Sequence, residues 1–158
     1  MTDRTVHPFA LLGLLFCAAC SPALLPGTEI QSTGENRPVY ATVRAYAEAL
    51  QRKDAVAILA LVAPDYYDTA GTPGPEDDLD RAGLEKVLPA DLARIDSLRV
   101  DVGVKRIEVN GDQAFAELFY ESYFRVNTPN GAVPRRESDL HLMKLKRVGA
   151  EWKITSGL

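Results

Sequence analysis

Cysteine is missing after residue 20, so the body of this 158-residue chain can hold no disulfide, no thiolate zinc site and no cysteine nucleophile. Histidine is nearly missing as well. His141 is the only one beyond His7, which excludes a site built from several histidines. Basic excess is absent too: 18 Lys and Arg stand against 22 Asp and Glu, for a net charge of -4, so nothing electrostatic draws the chain to nucleic acid. The apolar run 8–19 holds twelve residues, fewer than the roughly 20 that a helix needs to cross a bilayer. The acidic group Glu76, Asp77, Asp78 and Asp80 lacks the spacing, central Gly and terminal Glu of a calcium-binding loop. Acids there suit the start of a helix instead. No metal and no cofactor are expected.

That short apolar run ends at Ala18-Ala19-Cys20 and passes into Ser21-Pro22, which is how a bacterial lipoprotein begins. Small residues before Cys20 admit the extended chain to a peptidase, and the thiol is then the point of lipidation. Cys17 occupies the place where such signals usually carry Leu, and Asp3 accompanies Arg4 in the charged start. The expected division is a signal peptide over 1–19, a lipidated cysteine with a flexible tether over 20–35, and one domain over 36–158. The tether reading rests on the Pro, Gly, Ser and Thr content of 21–35 and its lack of periodicity. The chain is expected to be exported and held to a membrane by Cys20, facing the periplasm or the cell surface. Ser21, rather than Asp, after the anchor favours the outer membrane.

Pro38 marks a first helical turn, after which Val39, Val43, Tyr46, Ala47 and Leu50 share one face. Asp54 is placed to cap a second helix that Pro64 stops. Residues 65–78 break into a loop or short edge element. Asp80 then caps a third helical segment with Leu84, Val87, Leu88, Leu92 and Ile95 as its stripe, which Pro89 should kink or divide. Beyond Ser97 the period becomes two. Asn110-Gly111 signals a tight hairpin, a strand is expected over 113–126, a Gly- and Pro-containing loop over 127–134, and strands over 136–147 and 151–155. On the second strand Ala116, Leu118, Tyr120, Ser122 and Phe124 form the apolar face, and Glu117, Glu121 and Arg125 the outer one. Helices followed by an antiparallel meander make an α+β domain: N-terminal helices packed on a curved sheet of about four strands.

Two stretches carry a family likeness. VRAYAEALQRKDAVAILALVAPDYYD, residues 43–68, and KLKRVGAEWKI, residues 144–154, resemble the opening helices and closing hairpin of the nuclear transport factor 2-like superfamily, which includes ketosteroid-isomerase-like proteins. The resemblance covers roughly 37–158 and implies a cone whose sheet curls around a pocket roofed by helices. In the isomerase branch a helix-borne tyrosine and a protonated carboxylic acid form an oxyanion hole while a second carboxylate moves the proton. Tyr46 matches the tyrosine, Ala70 falls where the base belongs, and His141 lies near the place of the neutral acid, with Asp139 two residues before it. Ketosteroid-type isomerisation is therefore not expected.

Three uses of such a cone stay open. The favoured one is a lipid-anchored, non-catalytic binding module that takes a small apolar ligand or a partner segment into a pocket formed by Tyr46, Tyr66, Tyr67, Tyr120, Phe124 and His141. A second is an envelope assembly protein, or a homodimer, that uses the outer sheet face. A third is a lyase or isomerase in which Asp68 or His141 acts as base and Tyr46 or Tyr123 as donor. Each residue also has a purely structural use: Tyr46 as a core aromatic, His141 as a strand residue beside a polar partner, and Tyr66 and Tyr67 as closure of a core edge.

Overall fold

The computed structural model describes residues 23–71 and 74–158. Cys20, and with it the signal and lipidation readings, lies outside the described residues. Three helices, α1 (Asn36–Gln51), α2 (Ala55–Leu61) and α3 (Arg81–Arg94), precede four long strands. Two-residue strands β1 (Tyr67–Asp68) and β2 (Leu79–Asp80) pair with each other between α2 and α3. The long strands β3 (Ile95–Asn110), β4 (Gln113–Thr128), β5 (Gly131–Val148) and β6 (Glu151–Ser156) form one antiparallel sheet in that order. The expected α+β architecture is what forms.

The helix ends follow from their capping chemistry. Lys53 takes a left-handed backbone (φ 55°) that ends α1, and Asp54 then accepts a hydrogen bond from the Ala57 N–H at 2.9 Å to start α2. Asp80 does the same for α3 through the Gly83 N–H at 2.7 Å. Against expectation, α3 runs through Pro89 as one helix, and Ile95 belongs to β3. Pro89 lies on the exposed side, where water can satisfy the carbonyl that loses its N–H partner.

The region 127–134 departs further from the sequence reading. It is a tight hairpin in which Pro129 and Asn130 alone lie between the strands and Thr128 pairs with Gly131. Thr128 Oγ1 donates to the Gly131 carbonyl at 2.7 Å and closes the turn. Pro134 lies within β5 opposite Arg125. It is tolerated because β6 pairs only with residues 144–148, leaving this half of β5 as a sheet edge where a missing N–H breaks no ladder.

Residues 23–35 also differ from the expected flexible tether. Leu24 bridges Gln31, the Thr28 N–H donates to the Leu25 carbonyl at 3.1 Å, and Gly27 has φ 70°. Pro26-Gly27 is thus the centre of a turn that needs a positive φ at its second position. Leu25 is buried, and Tyr40 of α1 donates its hydroxyl to the Pro26 carbonyl at 2.6 Å.

The core lies between the helices and one face of the sheet. Val39, Val43 and Tyr46 of α1 and Ile58 of α2 pack on Ala116, Leu118, Met143, Leu145 and Ile154. Because strand side chains alternate, the register Leu118↔His141 and Tyr120↔Asp139 puts His141 and Asp139 on that same inner face, beyond the end of the apolar layer.

Candidate functional site

Past the core, the sheet and α1 border an open cavity of about 470 Å³. Tyr46 and Leu50 of α1 form its roof, Leu98 and Val100 of β3 one wall, and Tyr120 and Phe124 of β4 its floor. Ser122, Glu137, Asp139 and His141 add the polar part of the lining. Four of the six pocket residues expected from sequence, Tyr46, Tyr120, Phe124 and His141, therefore meet here. The apolar stripe of α1 and the alternation of β4 pointed to the first three, and the family resemblance to His141. Leu98, Val100 and Glu137 were not anticipated as lining, although Val100 was already placed on an alternating strand.

The other two lie elsewhere. Tyr66 is buried in the main core, its hydroxyl 3.2 Å from Asp68, and burial first, then the Asp68 charge, pushes its pKa up. Tyr67 is exposed and donates to Asp78, which raises its pKa. Asp78 and Asp80 are thus a tyrosine partner and a helix cap, and among the described residues no three metal-ligating side chains gather.

The polar end of the cavity is a chain of contacts. Tyr46 and Tyr120 meet edge to face with ring centres 6.4 Å apart, and Tyr120 meets His141 at 4.7 Å. His141 Nε2 lies 3.3 Å from an Asp139 carboxylate oxygen. Burial pushes the Tyr46 pKa up to about 12, against a smaller lowering by the Tyr120 hydroxyl. The Tyr120 pKa is raised by burial and by Tyr46. Both phenols are therefore hydrogen-bond donors, not anions, at neutral pH. The Tyr120 hydroxyl is fully buried against the Tyr46 phenol, although the pair does not make a hydrogen bond of good geometry.

Asp68 is absent from this cavity. It lines a second cleft of about 600 Å³ with His141, Leu142 and residues 156–158, while Tyr46 lines only the first. His141 and Asp139 stand in the wall common to both. Neither cavity is lined by Tyr46, Asp68 and His141 together. One Asp68 oxygen accepts from the Gly157 N–H at 2.5 Å and from Tyr66, the other from the Ala70 N–H at 3.0 Å. Burial alone would raise its pKa, but the Gly157 and Ala70 amides, with Tyr66 and Leu158, bring it below the usual carboxylate value. So stabilised a carboxylate is a weak base, and its work is to fasten residues 156–158 to the domain. Ala70, where the resemblance would put the isomerase base, has φ 49° and is exposed.

The outer sheet face carries Tyr123, whose hydroxyl donates to Glu121 at 2.9 Å, and the Glu121–Arg136 ion pair. Tyr123 therefore cannot serve as an oxyanion donor in the cone. Phe119, Leu140 and Leu142 are exposed on the same face, with Phe119 opposite Leu140.

No protein-family model matches the chain, and a search of curated proteins finds no match. Solved structures do match. A ketosteroid isomerase-like protein from Erwinia carotovora atroseptica superposes with a TM-score of 0.67 at 18% identity, covering 80% of this chain and 95% of that one. A provisionally named scytalone dehydratase from Novosphingobium aromaticivorans gives 0.66 at 14% identity over 78% and 80%. A provisionally named dehydratase of the NTF2-like family from Streptomyces avermitilis gives 0.61 at 16% over 78% and 93%. The fold is the NTF2-like, ketosteroid-isomerase-like cone. Identities this low speak to the fold and leave the chemistry to the residues themselves.

Proposed function

We propose that this chain is a lipid-anchored extracytoplasmic binding module that holds a small, mainly apolar molecule in its cone. The observation that carries the reading is the preformed cavity of about 470 Å³, with Leu50, Leu98, Val100 and Phe124 to hold an apolar body and Tyr46, Ser122 and His141 at its polar end. Ala70 in place of a base and Asp68 engaged by backbone amides support binding without turnover. The run 8–19 followed by Cys20 supports the anchor, and its membrane is the first partner. An environment-sensitive apolar fluorophore should bind once per chain, and Ser122→Trp, which fills the cavity, should abolish that site. Undiminished binding to the variant would contradict the reading.

One observation favours a lyase or isomerase: His141, 3.3 Å from an Asp139 carboxylate oxygen, shares the cavity with the Tyr46 and Tyr120 rings. If that is the chemistry, a carbonyl ligand recovered from the chain exchanges an adjacent C–H in deuterated water, and His141→Ala stops the exchange. Assembly through the outer sheet face, with a second copy or an envelope protein, is favoured by Phe119, Leu140 and Leu142. Sedimentation of the chain against Leu140→Lys tests self-association.

A further inference from the structure

Residues 23–32 are folded, and this changes what an anchor at Cys20 does. The Leu25 N–H donates to the Ile30 carbonyl at 2.9 Å, and the Ser32 N–H donates to the Ala23 carbonyl at 2.7 Å. Ile30 packs on the core, and Tyr40 holds Pro26. Only Ser21 and Pro22 lie between Cys20 and Ala23, the first described residue. Three residue steps reach about 11 Å at most. A lipid on Cys20 is therefore within that reach of the turn, in place of the longer reach of a fifteen-residue coil.

The place of the turn relative to the cone is equally defined. The turn lies by the N-terminal half of α1, where Tyr40 bonds it, and flanks an open groove against Gly103–Lys105 of β3. The cone is roofed by Tyr46 and Leu50, six and ten residues, or about 9 and 15 Å, further along α1. Gln51, at the end of that helix, bonds Leu98 and Val100, so α1 and β3 run in opposite directions and the cone is at the far end of both. The tip of the β4–β5 hairpin at Asn130 lies farther still. Phe119 pairs with Gly103, and the nine residue steps from Phe119 to Thr128 span on the order of 30 Å. Leu24, 52% exposed, is an apolar contact on the turn itself.

We propose that the turn 23–32 seats the domain directly on the lipid surface, with the cone at the end turned toward water. This rests on lipidation of Cys20. The partner of this surface is the bilayer that carries the anchor, and the ligand reaches the cone from the aqueous phase and not from the acyl layer.

The test uses the full chain, expressed in a bacterium and isolated after processing, with Glu29→Cys or Asn130→Cys carrying a fluorophore. Lipidation alkylates the Cys20 sulfur, which leaves the introduced residue as the free thiol. In phosphatidylethanolamine and phosphatidylglycerol vesicles with nitroxide on the headgroups, the label at position 29 should be quenched severalfold more than the label at 130. A long Gly-Ser spacer between Pro22 and Ala23 should erase the difference. Equal quenching without the spacer would overturn the seating while leaving the anchor intact. An intact mass without acyl groups would remove the anchor reading, and the seating with it.

Discussion

Tyr120 and Asp68 show how two polar side chains come to opposite uses. Tyr120 has its ring in the cavity floor and its buried hydroxyl against the Tyr46 phenol, without a hydrogen bond of good geometry. Tyr120→Phe therefore removes little and should leave the stability of the empty chain within about 1 kcal/mol in chemical denaturation. A loss well beyond that would mean that the hydroxyl is firmly bonded in solution. Asp68, in contrast, is fully engaged by amides and Tyr66. Its folded pKa is lowered, so its contribution is present above the unfolded value near 3.9 and is lost as pH falls through the lower folded value. Asp68→Asn should therefore destabilise the chain at neutral pH and flatten the fall in stability below about pH 4 in acid titration. An unchanged acid limb would contradict the assigned role. None of this was legible beforehand. The sequence placed Asp68 two residues from Ala70, but it could not show that residues 157–158 return to occupy its carboxylate.

At the scale of elements, legibility tracked local chemistry. Asp54 and Asp80 announced their helices because a carboxylate at that place satisfies exposed amides, and both make the bond. The alternation Ala116, Leu118, Tyr120 gave the inner face of β4 because a two-residue period leaves no other orientation once one face is buried. Two elements were misread from composition. Pro and Gly suggested a loop at 127–134 and a coil at 21–35, yet Pro129-Asn130 and Pro26-Gly27 each centre a tight turn that joins paired backbone. Pro26-Gly27 had the right order for such a turn; what could not be seen was the burial of Leu25, which depends on α1 and β3 being near. Leu25→Ala should cost about 2 kcal/mol in thermal or chemical denaturation, as for a well-packed leucine. A cost near zero would restore the tether.

For the whole molecule, the core fills one end of the space between helices and sheet and the cone the other, so the two share α1 and the strands and meet at Tyr46. Leu118, Met143 and Leu145 hold the fold, while two to six residues along the same strands Tyr120, Phe124, His141 and Asp139 line the cavity. That separation is why the pocket can change its chemistry without loss of the fold, and why likeness in shape alone names no ligand. It also lets the domain be fixed to a surface at one end and remain open at the other. The central claim is that the cone holds a small molecule, and a native mass spectrum of the chain expressed in a bacterium, set against its denatured mass, tests it most directly. The account predicts an added small-molecule mass that is present in the native spectrum, lost on denaturation, and absent from Ser122→Trp. A native mass equal to the denatured one, under conditions that keep the fold, would contradict it.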